Sequence, residues 1–513
     1  MKSFVLPHLT TFIAGALYAL AYPSEFGEGW FPLLFIALPL FLWRLEEAPF
    51  KRSLGLIFFY NLGLGTVGYY WIPHTLREFG QLPYIISVVL GIAFALILQP
   101  HWWLYALFKR KRPDLKWFSE SGILLTAICM TLLERYFPQQ FPSYVGSPWL
   151  HLAPYLGLTP WFGVVAFSFM TFWVSLEVVA QLKLKKLRIQ VWVVLAGFVI
   201  LNAASPLKMS YGDKKLSVRV VQPNIGNFIK ISSEQGDAAA FQQISDRYYG
   251  LSTTLNNFKP ELIVWPETAY PNSFYGTDTQ LESVFTRIMQ DTGSEMLIGG
   301  YEMDITKGPG DFIESVFNSS IFMSDGQYKT AYHKNILIPF GETLPFGPFN
   351  RQVISIVPAI SLFARGDSIP LMQTRDQYRF VTPICYEILE SNYMRSLLNR
   401  HGKNQFIVNH TNDSWYGDTA EPLQHLFLSK WRALEFLLPI VRSTNTGITS
   451  IIYPDGSESP RLPIGAEDIL DVEMPLSSGE ETKYQQWGVL PTLLMMFIFL
   501  LTSLWREKKK IRP

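Results

Sequence analysis

Cysteine is scarce in this 513-residue chain: two residues, Cys129 and Cys385, which cannot build a disulfide framework. Charge is scarce too, at 17% Asp, Glu, Lys and Arg against about 25% in a soluble domain. Neither sign is in excess, because 43 basic residues offset 42 acidic ones, and this excludes a nucleic-acid partner gripped by bulk charge. No Cys/His cluster has ligand spacing, so neither a metal nor a cofactor is expected. Repeats, low-complexity stretches and long linkers are missing, and 15% aromatics exclude disorder. What the chain has instead is apolar length. Hydrophobic residues make up 49%, mean hydropathy is +0.15, and the apolar residues are unevenly spread.

A hydrocarbon core about 30 Å thick needs about 20 apolar residues in a helix. Seven such stretches precede residue 206: Val5–Tyr22, Trp30–Trp43, Leu54–Trp71, Tyr84–Phe108, Ile123–Leu133 with its flanks, Trp161–Leu182 and Ile189–Ala204. An eighth, Gly488–Leu504, closes the chain; the second and fifth are the shortest. With the N-terminus inside, the inner connections and tail hold 18 Lys and Arg residues, from Lys2 to Arg512, and the short outer loops hold two, Arg77 and Arg135. That bias predicts eight spans, cytoplasmic termini and residues 206–487 in the periplasm of a bacterial inner membrane. The alternative is that the first stretch is a signal peptide ending at Ala19-Leu-Ala21, which would leave the large insert on the same side. The expected organisation is a seven-helix membrane domain (1–205), a periplasmic domain (206–487) and a final span with a basic tail (488–513).

The insert has a different pattern. Short β-branched runs end in turn signals at Ser217–Gln222, Glu261–Trp265, Met296–Gly299, Arg379–Ile384, Gln405–Asn409 and Ile448–Tyr453. Helical stretches at Ser233–Asn257, Leu281–Thr292 and Leu423–Leu438 alternate with some of them, which predicts a layered α/β domain. In such domains reactive side chains gather at strand ends. Three apolar strands run straight into a carboxylate, an amine and a thiol: Leu262-Ile-Val-Trp-Pro into Glu267, Tyr332-His into Lys334, and Phe380-Val-Thr-Pro-Ile into Cys385. Together these groups suit acyl transfer, with a thiol to attack, a carboxylate to take its proton and an ammonium to hold the oxyanion. Each also has an ordinary explanation: a helix cap, a solvated surface charge, a small core residue. Spacing alone does not join them.

The motifs add to this reading. Val264-Trp-Pro-Glu267, Lys334-Asn-Ile-Leu-Ile-Pro-Phe-Gly-Glu342 and Ile384-Cys-Tyr-Glu387 resemble, in order and spacing, the signature blocks of the nitrilase superfamily. The whole chain, seven spans plus one around such a domain, resembles its membrane-bound apolipoprotein N-acyltransferase family. The resemblance implies an αββα sandwich with Glu267 as general base, Lys334 stabilising the oxyanion and Cys385 as nucleophile. By the same resemblance Glu342 orients the lysine, Tyr386 and Glu387 flank the nucleophile, and the Tyr386 backbone N–H is a second oxyanion donor.

The implied reaction is ping-pong. A phospholipid acyl group passes to Cys385 as a thioester, then to the α-amine of a diacylglyceryl-cysteine on an apolipoprotein; a monomer is expected. The apolar stretch Leu344–Ala364, with Phe346 and Phe349, is expected to dip towards the bilayer and guide acyl chains. Trp415 and Tyr416 are further candidates for lipid contact. In some family members a tryptophan follows the first strand of the domain; here Asn224–Ile231 has none, and Phe228 is the expected substitute. Glu177 and His101, in or beside spans, are candidates because ionisable groups at that depth are expensive. One rival reading is a membrane-tethered amidase or nitrilase with the same triad, against which eight spans argue because a tether needs one. Another is a transporter, which would call for paired charges or broken, repeated helices.

Overall fold

The computed structural model describes the chain except residues 1, 79–81, 112–117, 138, 140, 208–210, 277–279, 305–314, 340, 345–346, 351, 353–361 and 512–513. It divides into two compact units, one of Met1–Arg77, Leu82–Leu207 and Thr482–Pro513, the other of Glu78–Gln81 and Lys208–Glu481.

The first unit is helical, and every one of the apolar stretches forms helix: Lys2–Ala19, Leu34–Glu47, Phe50–Gly68, Tyr84–Ile97 with Pro100–Lys111, Glu120–Tyr136, Thr159–Leu184, Ile189–Ala204 and Leu490–Ile511. Among the described residues, two helices, Thr159–Leu184 and Leu490–Lys509, are long and apolar enough to cross a membrane. A third counts if Tyr84–Ile97 and Pro100–Arg110, bent by 52°, form one span. The fourth stretch was expected to be continuous and is instead broken at Pro100, whose ring cannot continue a helix's bonding. Small residues bring Lys2–Ala19 and Phe50–Gly68 together: a Cβ on Gly15 would lie 1.9 Å from Tyr60 O, and one on Gly63 2.0 Å from Phe12 O. Glu177 is buried against Arg188 Nη1 at 3.1 Å, an ion pair within the bundle. His101 is buried between the rings of Trp102 and Phe172.

The second unit holds two sheets. The larger has the order β12-β1-β2-β4-β5-β6, with β3 added to β4: β1 (Tyr211–Gln222), β2 (Leu262–Val264), β3 (Ser273–Phe274), β4 (Glu295–Met303), β5 (Val316–Ser324), β6 (Gln327–His333) and β12 (Asp468–Ser477). The smaller has the order β11-β10-β9-β8-β7: β7 (Met372–Gln373), β8 (Arg379–Val381), β9 (Phe406–Thr411), β10 (Ile440–Thr444) and β11 (Ser450–Ile452). Strands β1, β2 and β4 run parallel, as do β8, β9 and β10.

The alternation of β5 sets the layers. Ile321 and Met323 join a core with Ile244, Tyr248, Phe285 and Ile288 of the outer helices Ala238–Ser252 and Ser283–Thr292. Ser320 and Phe322 face the other sheet, where they meet His410 of β9 and Phe380 of β8. Helices Ser391–Asn399 and Glu421–Phe436 belong to the smaller sheet's side. The helix expected over Ser233–Asn257 is two, Asn227–Glu234 and Ala238–Ser252, split where Asp237 caps the second through Ala239 and Ala240 N–H. The sheets also contain β3, β5, β7, β10 and β12, which the sequence reading did not assign, and β6, of which it placed only the end at Tyr332-His333.

Candidate active site

Parallel strands bring their carboxyl ends to one side, and the reactive residues follow them. Glu267 lies just past β2, Lys334 directly past β6, Cys385 just past β8 and Asn412 directly past β9. The turn after β2 fits because Gly299 has no side chain: a Cβ there would lie 2.2 Å from Pro266 O and 2.6 Å from Glu267 Cα. Cys385 has φ +53°, a left-handed conformation that costs a non-glycine residue roughly 1–2 kcal/mol. Asn409 holds it there, with Nδ2 donating to Cys385 O at 3.2 Å and Pro383 O at 3.0 Å.

Lys334 is fully buried, and Nζ donates to Glu267 Oε1 at 3.2 Å and Glu342 Oε1 at 2.7 Å. Burial alone would pull a lysine down, but these carboxylates outweigh it and hold Lys334 well above its ordinary value. Asn318 Nδ2 of β5 donates to the same two oxygens, at 2.7 Å to Glu267 and 3.2 Å to Glu342. The other oxygens are used as well. Glu267 Oε2 accepts from Asn412 N at 2.9 Å, and Glu342 Oε2 from Ile338 N at 3.0 Å. This over-determined frame fixes the carboxylate of Glu267 beside the thiol. The Cys385 thiol is pushed well above its usual range by burial first and then by the Glu267 charge, while Lys334 and the Thr411 hydroxyl pull the other way. Burial thus favours the neutral thiol.

Glu387 joins the turns that carry Lys334 and Cys385. Its Oε1 accepts Asn335 N at 2.7 Å and Ile336 N at 2.9 Å; its Oε2 accepts Ile384 N at 2.8 Å and Tyr332 OH at 2.7 Å. Burial pushes its carboxyl up to about 7. Tyr386 follows Cys385 in the 3-10 helix Cys385–Leu389, its hydroxyl bonded to Glu421 and its ring stacked on His425 at 4.6 Å.

The lipid-contact candidates fare differently. Phe346, with most of the stretch 344–364, lies outside the described residues. Phe349 ends a 3-10 turn, Gly347–Phe349, and is 66% exposed. Trp415 is half-buried in the turn Asp413–Trp415, whereas Tyr416 is buried with its ring 6.3 Å from Tyr386, which makes it part of the wall near Cys385. Phe228, on the helix Asn227–Glu234, is 84% exposed.

Several residues at the site escaped the sequence reading. Asn318 left a trace, a polar residue in the buried apolar strand Val316-Phe-Asn-Ser-Ser-Ile-Phe-Met. Arg442 left a similar one in Ile440-Val-Arg-Ser-Thr; it bonds Asn409 Oδ1 and Asp413 Oδ2, both at 3.1 Å. Gly447 lets Asp413 in, since a Cβ there would lie 2.0 Å from Asp413 Oδ2. Lys230 is buried with its ammonium on Thr268 Oγ1, beside a cavity of about 10 Å³ that also touches Glu267 and Asn445, about enough for one water.

Comparison with known proteins places these residues in context. Residues 217–484, just over half of the chain, match the carbon-nitrogen hydrolase family, and residues 14–176 match the apolipoprotein N-acyltransferase N-terminal domain. Among curated proteins, the chain is 28% identical over 501 residues to an apolipoprotein N-acyltransferase of Bdellovibrio bacteriovorus, covering 91% of this chain and 88% of that one. It is 26% identical over 514 residues to that of Haemophilus influenzae (96% and 94% covered), and 28% over 520 residues to that of Ralstonia nicotianae (97% and 93%). Among solved structures it is similar to XC1258 of Xanthomonas campestris, a CN-hydrolase superfamily protein, at TM-score 0.38 and 15% identity over 51% of this chain and 91% of that one.

Proposed function

We infer, from a chain that belongs to the carbon-nitrogen hydrolase family and within it to the apolipoprotein N-acyltransferases, that this protein acylates the N-terminal amine of apolipoproteins. The acyl donor is a membrane phospholipid and the acceptor a diacylglyceryl-cysteine. Residues 206–487 carry out the chemistry; residues 1–205 and 488–513 hold it in the bacterial inner membrane by eight spans, with that domain in the periplasm and both termini in the cytoplasm. The observation that carries the reading is the buried meeting of Glu267, Lys334 and Glu342 beside Cys385.

Each residue has a task. Glu267 takes the thiol proton, and the sulfur attacks the donor's ester carbonyl. The charge that develops on the carbonyl oxygen meets the Lys334 ammonium and the Tyr386 backbone N–H in the first turn of the 3-10 helix. The lysophospholipid leaves as an alcohol with the proton from Glu267. The acceptor amine then attacks the thioester, loses a proton to Glu267, and expels Cys385 as a thiolate. Glu342 aims Lys334, and Glu387 holds the turns of the lysine and the nucleophile together. The amidase alternative has weaker support, because it gives no reason for the match over residues 14–176.

The test is direct. The purified protein in detergent, given a phospholipid with a labelled acyl chain and no acceptor, should gain one acyl mass on Cys385. Hydroxylamine should remove it, and Cys385→Ala should not form it. Absence of the adduct from folded wild-type protein would overturn the acyl-donor assignment.

A further inference from the structure

Thr411, the last residue of β9, has one hydroxyl proton and two acceptors. Its Oγ1 lies 2.8 Å from Asp413 Oδ1 and 3.6 Å from Cys385 Sγ. While Cys385 is a thiol, the shorter bond to a carboxylate is the stronger one. Once Glu267 has taken the thiol proton, the sulfur carries full charge in a buried site, and a hydroxyl turned towards it becomes worth more. That turn would leave Asp413 Oδ1 without its donor at 1% residue exposure, a costly loss.

The structure holds a replacement. His425, on the helix Glu421–Phe436, has Nδ1 3.8 Å from that same Oδ1, and it is fully buried. Neither of its ring nitrogens has a hydrogen-bond partner among the described residues. Burial, with Arg442 beside it, pulls His425 down to about 4, so it is neutral and has one N–H to offer.

We propose that Thr411 is a further catalytic residue, a hydroxyl that turns from Asp413 to the Cys385 thiolate, with His425 the positioning residue that takes its place on Asp413. The device rests on the reading of Cys385 as nucleophile. Thr411 keeps its proton throughout: the thiol proton goes to Glu267, the sulfur lone pair forms the C–S bond, and the hydroxyl serves again when that bond breaks and the sulfur leaves with the electron pair. Stabilisation is thus confined to the charged species, where it lowers a barrier and not merely the resting state. The charged and titratable groups that face Cys385 are Glu267, Lys334, Asp413, Tyr386 and Tyr416; those that face Asp413 are Arg442, His425, Glu421, Tyr416 and Cys385.

Alkylation by iodoacetamide tests this without any lipid, so its failure and the failure of the acyl-donor reading can be told apart. The full chain in detergent, with Cys129→Ser to leave one thiol, is followed by intact mass across a pH series. Thr411→Val should slow alkylation of Cys385 about tenfold at neutral pH and move the profile upward, the loss of one hydrogen bond to a charged sulfur. Thr411→Ser should restore it. His425→Phe should slow it about threefold with Thr411 intact. A wild-type profile for Thr411→Val, or Thr411→Ser as slow as Thr411→Val, would overturn the role of Thr411. A wild-type profile for His425→Phe would overturn the exchange on Asp413. Should Thr411→Val not fold, Thr411→Ala carries the same expectation.

Discussion

Two buried charge clusters flank Cys385, each with two carboxyl groups and one cation, yet they resolve the same arithmetic differently. Around Lys334, the carboxylates of Glu267 and Glu342 share the ammonium, and Asn318 Nδ2, Asn412 N and Ile338 N also donate to them. Around Arg442, Asp413 takes the guanidinium and lies below its ordinary range, the Arg442 charge outweighing the effect of burial. Glu421 instead is pushed well above its range by burial and then by the Asp413 charge, and its Oε2 has no hydrogen-bond partner among the described residues. Where donors are plentiful, both carboxylates are held by direct bonds; where they are few, burial favours the neutral form of one carboxyl. The first arrangement suits a base and an oxyanion partner, the second a rigid backing with a mobile hydroxyl at its edge.

Substitutions separate the two. The largest effect belongs to the shared centre: Cys385→Ala should abolish the acyl-enzyme in the labelled-phospholipid assay while the melting temperature stays near wild type. Lys334→Met should cut single-turnover acylation by about 10²–10³, the loss of an oxyanion donor. It should also destabilise the protein by roughly 3 kcal/mol, because two buried carboxylates lose their cation. Arg442→Met should show a comparable drop in stability by denaturant titration but a smaller rate loss per folded molecule. Equal rate losses would remove the distinction between the clusters.

Smaller effects sharpen it. Glu342→Gln should slow acylation about tenfold by misplacing Lys334. Glu421→Gln mimics a carboxyl that is already protonated and should cost less than about 1 kcal/mol. A Glu421→Gln loss as large as that of Glu342→Gln would mean that both clusters are ionised.

The link between the Lys334 and Cys385 turns gives a pH signature. Burial holds Glu387 up to about 7 in the folded protein, above its ordinary value. The stability this adds is complete below the unfolded carboxyl's range and is lost as pH rises through about 7. Activity should go the other way, since the carboxylate accepts the N–H groups of Asn335, Ile336 and Ile384 more strongly than the protonated carboxyl does. Acylation should fall as pH drops through about 7. Glu387→Gln should lose that limb in a rate–pH profile and flatten the matching part of the melting-temperature profile.

Legibility followed the kind of signal. The apolar stretches were readable as helices because burial in a bundle or a bilayer needs long apolar runs, and Ile189–Ala204 has the expected bounds. The bend at Pro100 follows from a rule of local chemistry that length-counting passes over. Six strands with β-branched runs were readable; β5 was not, and β6 only at its end, since Asn318, Ser319 and Ser320 in one and a partly exposed, polar face in the other break the apolar pattern. Those interruptions are where the site is built, because a strand that passes beneath a reaction centre trades apolar residues for donors.

By itself the sequence determined the long apolar helices, the α/β insert and, through three short blocks, which residues to seek together: Glu267, Lys334, Cys385, Glu342 and Glu387. Tertiary structure alone decided that Asn318 shares both carboxylates, that Glu387 joins two distant turns, and that Thr411 stands between Asp413 and the sulfur. The reason is physical. Composition and periodicity record what a segment does with its own neighbours and with solvent, whereas a hydrogen bond between strand ends dozens of residues apart exists only after the sheets have packed.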